Sequence, residues 1–210
     1  MKLDVLQRSD EQTLEQAVSC LNEAGVILVP TDTVYGLAVL PAFARSVKRL
    51  FDIKARPDTV NLPIMVANAG QLTGLGAIVS DKARALLESS YVPGAVTLVF
   101  GLDANAAPDW LSGREEIAVR LPDDPLLLNI IAQTGPILAT SANRHGLPTP
   151  NNCQEILDQL VLAPDLAIDG GEIDTVPSTV VNCNAVPPVI ERVGVVSAAE
   201  INEVWHDSGE

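Results

Sequence analysis

The sequence predicts an α/β fold in which a mixed β-sheet is flanked by helices. Short apolar runs of strand length, such as residues 26–29 and 95–100, are bounded by proline or glycine. Segments with apolar residues three and four apart, such as residues 14–21, lie between them and are typical of amphipathic helices. The two kinds of segment follow one another irregularly, without internal repeats. This order favours one domain whose sheet contains both parallel and antiparallel strands.

Helices are predicted wherever capping residues precede an amphipathic segment. Ser9 and Gln12 form the pattern of a capping box, and Gly25 is expected to end the helix that follows. Ser80 is the expected cap of another helix, and Pro125 occupies the first turn of a third. The predicted helices span about residues 9–25, 43–53, 81–87, 125–135, 151–160 and 197–204.

Strands are predicted from the apolar runs that remain. One begins at Ile137, and the others span about residues 26–29, 63–66, 95–100, 117–121, 166–169, 178–182 and 189–192. The irregular residues 58–61 are expected to form a loop.

Composition restricts both the core and the partners of the chain. Of its 210 residues, 47% are hydrophobic but only 3% are aromatic, so an aliphatic core is expected. A net charge of −14 repels nucleic acids and anionic membranes. Cys20, Cys153 and Cys183 lack metal-ligand spacing and are expected to be reduced thiols. With no leader pattern or membrane-length apolar run, a cytoplasmic protein is expected.

Polar residues follow the strand that begins at Ile137. In α/β sheets the end of such a strand is where ligands bind. Ser141 and Asn143 are separated by one residue, so on extended backbone both side chains face the same way. A serine hydrolase is the nearest alternative, but Gly-x-Ser-x-Gly is absent and neither His145 nor His206 is well placed as a base.

Five of the 13 basic residues fall between residues 45 and 56. Lys54 and Arg56 precede Pro57 at the end of a predicted helix, and on non-helical backbone they would point in similar directions. Two fixed cations suit a polyanion such as a triphosphate. The alternative is that these charges stabilise the carboxyl end of the helix. Arg45, Lys48 and Arg49 are either part of an anion site or a solvated helix face.

Four further residues are candidates for binding a small polar substrate. Arg120 is the only charge in an apolar strand, so a structural carboxylate, such as Asp123 or Asp124, or a ligand carboxylate is expected beside it. Thr33 and Tyr35 lie after a strand, where they bind a ligand or form a capped turn with a core tyrosine. Ser178 opens a strand and binds a ligand or caps backbone.

Six short segments, taken together, resemble the YrdC-type threonylcarbamoyl-AMP synthase family. They occur in the order and spacing typical of that family and extend over most of residues 14–194. The segments are PTDTVYGL at 30–37, KARP at 54–57, PGAVT at 93–97, AVRLP at 118–122, TSAN at 140–143 with Gly146, and PSTV at 177–180.

The resemblance implies a twisted mixed sheet with flanking helices around a deep cavity. It implies a synthase that converts L-threonine, bicarbonate and ATP into threonylcarbamoyl-AMP and pyrophosphate. A separate transferase would use that product to modify adenosine in tRNA. Mg²⁺ would accompany ATP, with no metal site built from the protein alone.

The same resemblance assigns roles to the candidate residues. Lys54, Arg56, Ser141 and Asn143 are the expected catalytic set and, with Arg192, bind ATP. Thr33, Tyr35, Arg120 and Ser178 are expected to bind threonine. Residues 63–68 lack a histidine that some members have there, which leaves part of the threonine contact undefined.

Two other functions stay open at this point. The first is nucleotide or double-stranded RNA binding without catalysis, although the acidic charge argues against direct RNA binding. The second is carbamoyl transfer to another acceptor. We expect a single-domain member, with residues 1–194 forming the YrdC-like domain and residues 195–210 a short C-terminal extension.

Overall fold

The computed structural model describes residues 3–58, 61–173 and 176–207. Residues 59–60 of the predicted loop and residues 208–210 of the predicted extension lie outside this description. The strands are β1 (Asp4–Gln7), β2 (Ile27–Val29), β3 (Gly36–Val39), β4 (Ile64–Met65), β5 (Ala77–Ile78), β6 (Val96–Leu102), β7 (Glu116–Arg120), β8 (Ile137–Ser141), β9 (Leu166–Asp169), β10 (Thr179–Asn182) and β11 (Val189–Arg192). The helices are α1 (Thr13–Asn22), α2 (Ala44–Lys54), α3 (Gly70–Gly74), α4 (Asp81–Leu87), α5 (Pro125–Thr134), α6 (Cys153–Gln159) and α7 (Ala198–Asp207).

The chain divides into two compact units, and the first comprises Met1–Leu62 and Asp124–Thr175. Its strands lie in the order β1-β9-β2-β3-β8. The β1/β9 and β9/β2 pairs are parallel, whereas β2/β3 and β3/β8 are antiparallel. Helix α1 packs against α5 and the strands β2 and β9, and α2 packs against β3. Buried aliphatic side chains from these elements, including Leu21, Leu28, Leu37 and Ile131, form the core that positions the end of β8.

The second unit comprises Pro63–Asp123 and Val176–Glu210. Its strands lie in the order β4-β7-β6-β10-β11, and β5 pairs with β6. The β4/β7 and β6/β10 pairs are parallel, whereas β6/β7 and β10/β11 are antiparallel. Helix α4 packs against α7. Each unit therefore contains both strand orientations, as the sequence predicted.

Most predicted elements are present, with boundaries shifted by a few residues, but the capping box at Ser9 was wrong. Helix α1 begins at Thr13, and Gln12 makes no side-chain cap. The Thr13 hydroxyl instead donates to the Gln7 carbonyl, and the Gln7 amide donates to Asp10. These bonds stabilise a turn between β1 and α1, so residues 9–12 lie in that turn and not in the helix.

Within the described part of the chain, five short elements were not predicted: β1, β3, α3, β5 and a 3₁₀ turn at Asp109–Leu111. Strand β1 lies at the edge of its sheet and is largely exposed, so it lacks a continuous apolar run. Strand β3 is buried throughout but follows the threonine-rich turn directly, and its pairing with β2 and β8 defines it. The three cysteines are free thiols, as expected. Within the described ranges, no helix has the length and apolar character needed to cross a membrane.

Candidate nucleotide and amino-acid site

Lys54 is the last residue of α2, and its side chain is almost fully buried at 2% exposure. Its Nζ donates to the Ser141 carbonyl and, over 3.1 Å, to Oδ1 of Asn143. Burial, together with the nearby charge of Arg56, lowers the pKa of Lys54 from 10.5 to about 7. Such an amine gains or loses its proton near neutral pH and is stabilised in its charged form by a neighbouring anion.

The end of α2 explains how both cations reach β8. Leu50, Phe51 and Ile53 bury one face of the helix, and Ala55 then adopts a left-handed conformation with φ of 49°. The Arg56 amide donates to the Phe51 carbonyl across this turn. Lys54 is therefore still helical, contrary to the expectation of non-helical backbone at both cations. Lys54 reaches the end of β8 from the last turn of the helix, and the left-handed Ala55 then turns the chain so that Arg56 reaches the same strand.

Arg56 is held beside β8 by a different residue from those that hold Lys54. Its Nη1 donates to Oγ1 of Thr140 over 3.1 Å, and its guanidinium lies 6.0 Å from the centre of the Phe51 ring. Its Nε is buried and has no hydrogen-bond partner among residues 3–58, 61–173 and 176–207. Burial lowers the pKa of Arg56 below its ordinary value. A buried, unsatisfied N–H donor favours an anionic acceptor.

The Asn143 amide is saturated by the protein. Its Oδ1 accepts from Lys54, from the Ser141 hydroxyl at 2.5 Å and, more distantly, from Thr149 at 3.4 Å. Its Nδ2 donates to the carbonyls of Arg144 and Leu147 at 3.0 and 2.7 Å. Ser141 and Asn143 therefore contact each other, although β8 ends at Ser141 and Asn143 lies in a bend rather than on the extended backbone that was expected. The Asn143 oxygen therefore binds Lys54, and its nitrogen binds the loop that follows β8.

Thr33 and Tyr35 lie in the turn between β2 and β3, close to the end of β8. The Thr33 hydroxyl is 3.1 Å from that of Thr31, and the Ala142 amide donates to the Tyr35 carbonyl over 2.7 Å. A cavity of about 530 Å³ opens beside this turn. Its lining residues are Asp32, Thr33, Asn151, Glu172 and Ile173.

The Tyr35 side chain is fully buried and faces the loop after β9. Its hydroxyl donates to the Gly171 carbonyl and accepts from the Gly170 amide, both over 2.8 Å. Burial raises the pKa of Tyr35 to about 12. The phenol is therefore neutral, and its hydrogen bonds hold the loop that leads to Glu172 and Ile173.

The second unit contains the other predicted residues. The Ser178 hydroxyl is 2.8 Å from that of Thr97, and its carbonyl accepts from Nε and Nη2 of Arg192 at 3.1 and 2.8 Å. Burial lowers the pKa of Arg192. Nη2 of Arg192 also donates to the Ser178 hydroxyl over 3.2 Å, so Arg192 binds the residue before β10 through three hydrogen bonds.

Arg120 ends β7 at 5% exposure, and its Nε donates to the Gly94 carbonyl over 3.0 Å. Asp124, one of the carboxylates considered for it, lies 2.8 Å from Nη1 of Arg8. Asp124 also caps α5 through the Leu127 amide. This carboxylate thus has a structural role at the start of α5.

The first unit brings together Lys54, Arg56, Ser141 and Asn143, and the second brings together Ser178 and Arg192. Thr140 was not among the predicted site residues, although its hydroxyl contacts Arg56. The prediction selected alternate residues, Ser141 and Asn143. Thr140 was left out because successive side chains of a strand point to opposite faces. The signal that identifies Thr140 is its own polarity in an otherwise apolar buried strand.

The other basic residues of α2 have local partners. Lys48 pairs with Asp52 one turn later, Arg49 pairs with Asp165, and Arg45 donates to the Glu23 carbonyl. Arg45 and Arg49 also border a depression of about 620 Å³ that includes Cys20, Glu23 and Asp165. Because carboxylates accompany the cations there, this face of α2 favours the solvated-surface interpretation.

The fold and these contacts define a mixed α/β protein in which a buried lysine and a fixed arginine meet hydroxyl and amide groups at a strand end. The Sua5/YciO/YrdC family model, described as "Telomere recombination", matches residues 19–194. The chain therefore belongs to the Sua5/YciO/YrdC family, which confirms the family predicted from the six segments.

Two curated relatives are similar to this chain in sequence, and one solved structure is similar to it in both sequence and fold. The chain is 35% identical over 204 residues to the threonylcarbamoyl-AMP synthase of Bacillus subtilis (strain 168), covering 96% of this chain and 58% of that protein. It is 37% identical over 180 residues to the synthase of Pseudoalteromonas translucida (strain TAC 125), covering 82% and 94%. The crystal structure of P. abyssi Sua5 complexed with L-threonine superposes with a TM-score of 0.86 at 32% identity, covering 97% of this chain and 61% of that one.

These matches confirm the predicted fold class, a twisted mixed sheet with flanking helices. The chain spans only 58% of the length of the B. subtilis protein and 61% of the P. abyssi chain. The depth of the predicted cavity and the roles of the individual site residues stay predictions.

Proposed function

We propose that this chain is an L-threonylcarbamoyladenylate synthase that makes threonylcarbamoyl-AMP and pyrophosphate from L-threonine, bicarbonate and ATP. The observation that carries the proposal is the buried Lys54 beside Arg56, Ser141 and Asn143, in a family whose relatives are named for this product. The product would serve a separate transferase that forms threonylcarbamoyladenosine in tRNA. We place the enzyme in the cytoplasm.

The proposed reaction forms two bonds in sequence. The threonine nitrogen bonds to the carbon of bicarbonate, and water leaves to give a carbamate. A carbamate oxygen then attacks the α-phosphorus of ATP, the bond to the bridging oxygen breaks, and pyrophosphate departs with that electron pair. Catalysis of this kind depends chiefly on positioning and on neutralising phosphate charge.

Charge neutralisation is the role that we assign to Lys54, Arg56 and Arg192. Lys54 supplies a point charge, and its lowered pKa means that bound phosphate would draw a proton onto it. Arg56 supplies a planar fork whose Nε lacks a protein partner in the described part of the chain. Asn143 and Ser141 hold Lys54 in place. Mg²⁺ enters with ATP, because phosphate oxygens are ligands that it favours.

Threonine recognition is assigned to Thr33, Tyr35, Arg120 and Ser178. Thr33 lines the cavity beside the β2–β3 turn, and Tyr35 shapes its wall through the loop after β9. Arg120 would bind the threonine carboxylate, for which a guanidinium is well suited. Ser178 would act from the start of β10.

The test is pyrophosphate release from ATP, measured with and without L-threonine and bicarbonate. Release should require both and should fall at least 100-fold in Lys54→Ala, because a fixed positive charge is removed from the phosphates. Lys48→Ala is the matched control, since this lysine of the same helix is exposed and pairs with Asp52 one turn later. A folded protein that leaves ATP intact at saturating threonine and bicarbonate would overturn the proposal.

The same assay distinguishes the other two functions. Adenine-nucleotide binding without pyrophosphate release would indicate a non-catalytic binding protein. Turnover of carbamoyl phosphate that ignores threonine would indicate carbamoyl transfer to another acceptor. Steeply salt-dependent binding of double-stranded RNA would contradict the expectation drawn from the charge of −14.

A further inference from the structure

Arg56 has a long, flexible side chain, yet its guanidinium is oriented by few protein contacts. Nη1 donates to Oγ1 of Thr140 over 3.1 Å, and Phe51 supports the guanidinium from 6.0 Å. By comparison, Arg49 on the preceding helix α2 makes three hydrogen bonds, to Asp165 and to the Ala163 carbonyl. Fixing a flexible arginine costs conformational entropy. Within residues 3–58, 61–173 and 176–207, Arg56 makes one side-chain hydrogen bond, to Thr140, and that bond therefore matters more than any one of the three at Arg49.

Thr140 is a rigid anchor for such a bond. It is 9% exposed and lies in β8, where it pairs with Leu37 of the buried strand β3. A β-branched side chain has restricted rotation about its first torsion, which keeps the hydroxyl in place. The acceptor that Arg56 uses is therefore part of the central sheet of its unit.

The bond to Thr140 also selects which edge of the guanidinium is presented. It occupies Nη1, while Nε on the other side is buried and has no protein partner within the described residues. Nε and Nη2 form an edge that matches two oxygens of a phosphate. The hydroxyl therefore leaves a two-donor edge for an anion.

We propose that Thr140 is a positioning residue, whose hydroxyl orients Arg56 so that the Nε edge meets a phosphate of the nucleotide. The role for a nucleotide rests on the proposed function, whereas the orientation of Arg56 by Thr140 does not. Thr140 acts only through Arg56 and touches no reacting atom.

The test uses Thr140→Val, which keeps the branched shape but removes the acceptor, and Thr140→Ser, which keeps a hydroxyl. Thr134→Val is the matched control, because the Thr134 hydroxyl donates to the Ile130 carbonyl within α5. Thermal unfolding of all three variants checks that each is folded.

The orientation itself is read from the ¹⁵N–¹H signal of the Arg56 Nε–H group, assigned with Arg56→Lys. In Thr140→Val the steady-state heteronuclear NOE ratio of this signal should fall because the group becomes mobile. The ratio for Arg49 should stay unchanged because Asp165 still holds it. Thr140→Ser should restore the Arg56 signal. An equally ordered Arg56 in Thr140→Val would overturn the proposal, whether or not the protein is a synthase.

The consequence for the nucleotide is read from the dissociation constant of a non-hydrolysable ATP analogue and from the KM for ATP. Both should rise on the order of tenfold in Thr140→Val, with a smaller change in kcat and none in the KM for threonine. In an Arg56→Ala background the same substitution should add nothing. A persisting effect there, or wild-type ATP affinity in Thr140→Val, would overturn the role at the nucleotide.

Failure of the proposed function gives a different pattern. A wild-type protein that binds no ATP would remove the synthase proposal and, with it, the role of Thr140 at the nucleotide. The Arg56 spectrum would still decide whether Thr140 orients the guanidinium.

Discussion

Lys54 at the end of α2 and Asn143 after β8 meet through a 3.1 Å hydrogen bond, although 89 residues separate them in the chain. The same Asn143 oxygen accepts from Ser141, and the Asn143 nitrogen donates to the Arg144 and Leu147 carbonyls. One amide thus connects a buried cation, a strand end and a loop. Removing it should disturb all three together.

The free energy of unfolding should rise with pH from about 7 upward because of Lys54. Its pKa is lowered from 10.5 to about 7 in the folded protein, so above pH 7 the unfolded chain binds one more proton than the native state. The contribution is at most about 1.4 kcal/mol per pH unit. Urea unfolding between pH 7 and 8.5 in the wild type and in Lys54→Met isolates it. The three cysteine thiols, whose pKa values are raised to about 11, 11 and 12, contribute the same opposite slope to both proteins.

Lys54→Met should lose the rise of unfolding free energy with pH that Lys54 causes. Lys48→Met should keep it, because Lys48 is exposed and paired with Asp52. An unchanged slope in Lys54→Met would show that other groups cause the pH dependence.

Asn143→Asp should move the titration of Lys54 to higher pH. The substitution places a negative charge 3.1 Å from Nζ, and an opposite charge at that distance favours the protonated amine by about 1–3 pKa units. It also removes the two donors that hold the Arg144 and Leu147 carbonyls, so amide exchange in the following loop should accelerate. Asn105→Asp, in an exposed turn of the other unit, is the control and should change neither quantity.

Tyr35→Phe should destabilise the protein by about 1–3 kcal/mol, since it leaves the buried Gly170 amide and Gly171 carbonyl without their 2.8 Å partner. Threonine affinity should fall as well, because the loop leads to Glu172 and Ile173 in the cavity wall. Tyr91→Phe, which removes only a 3.4 Å bond to Glu200, should have little effect on either. Equal stability in the two variants, measured by urea unfolding, would argue against a structural role for the Tyr35 hydroxyl.

Gly194→Ala should cost about 1–3 kcal/mol of unfolding free energy. A Cβ at Gly194 would lie 2.0 Å from the Pro177 carbonyl oxygen, so the backbone beside Ser178 must move. Gly74→Ala is the control, since a Cβ there has no heavy atom of the described residues within 4 Å. ATP affinity should drop in the first variant, because Arg192 grips the displaced Ser178 carbonyl. Thermal unfolding with and without nucleotide separates the two effects.

The sequence by itself determined the fold class, most helices and strands, and the family, because apolar periodicity, capping residues and the six segments are local signals. Ser80 and Pro125 mark helix starts in the structure as they did in the sequence. The capping box at Ser9 failed because Thr13 and Asp10 bond to Gln7, and a strand at Asp4–Gln7 was not recognised.

Only the tertiary structure decided which atoms the site residues touch. Alternation along β8 selected Ser141 but passed over Thr140. The partner of Thr140 is Arg56, which lies just beyond the end of α2 and 84 residues earlier in the chain. From the sequence, Tyr35 could contact a ligand or belong to the core. In the structure its hydroxyl bonds to Gly170 and Gly171, and these bonds form because β9 lies beside β2. Local patterns specify elements, whereas the partner of a buried polar group depends on which distant element packs against it.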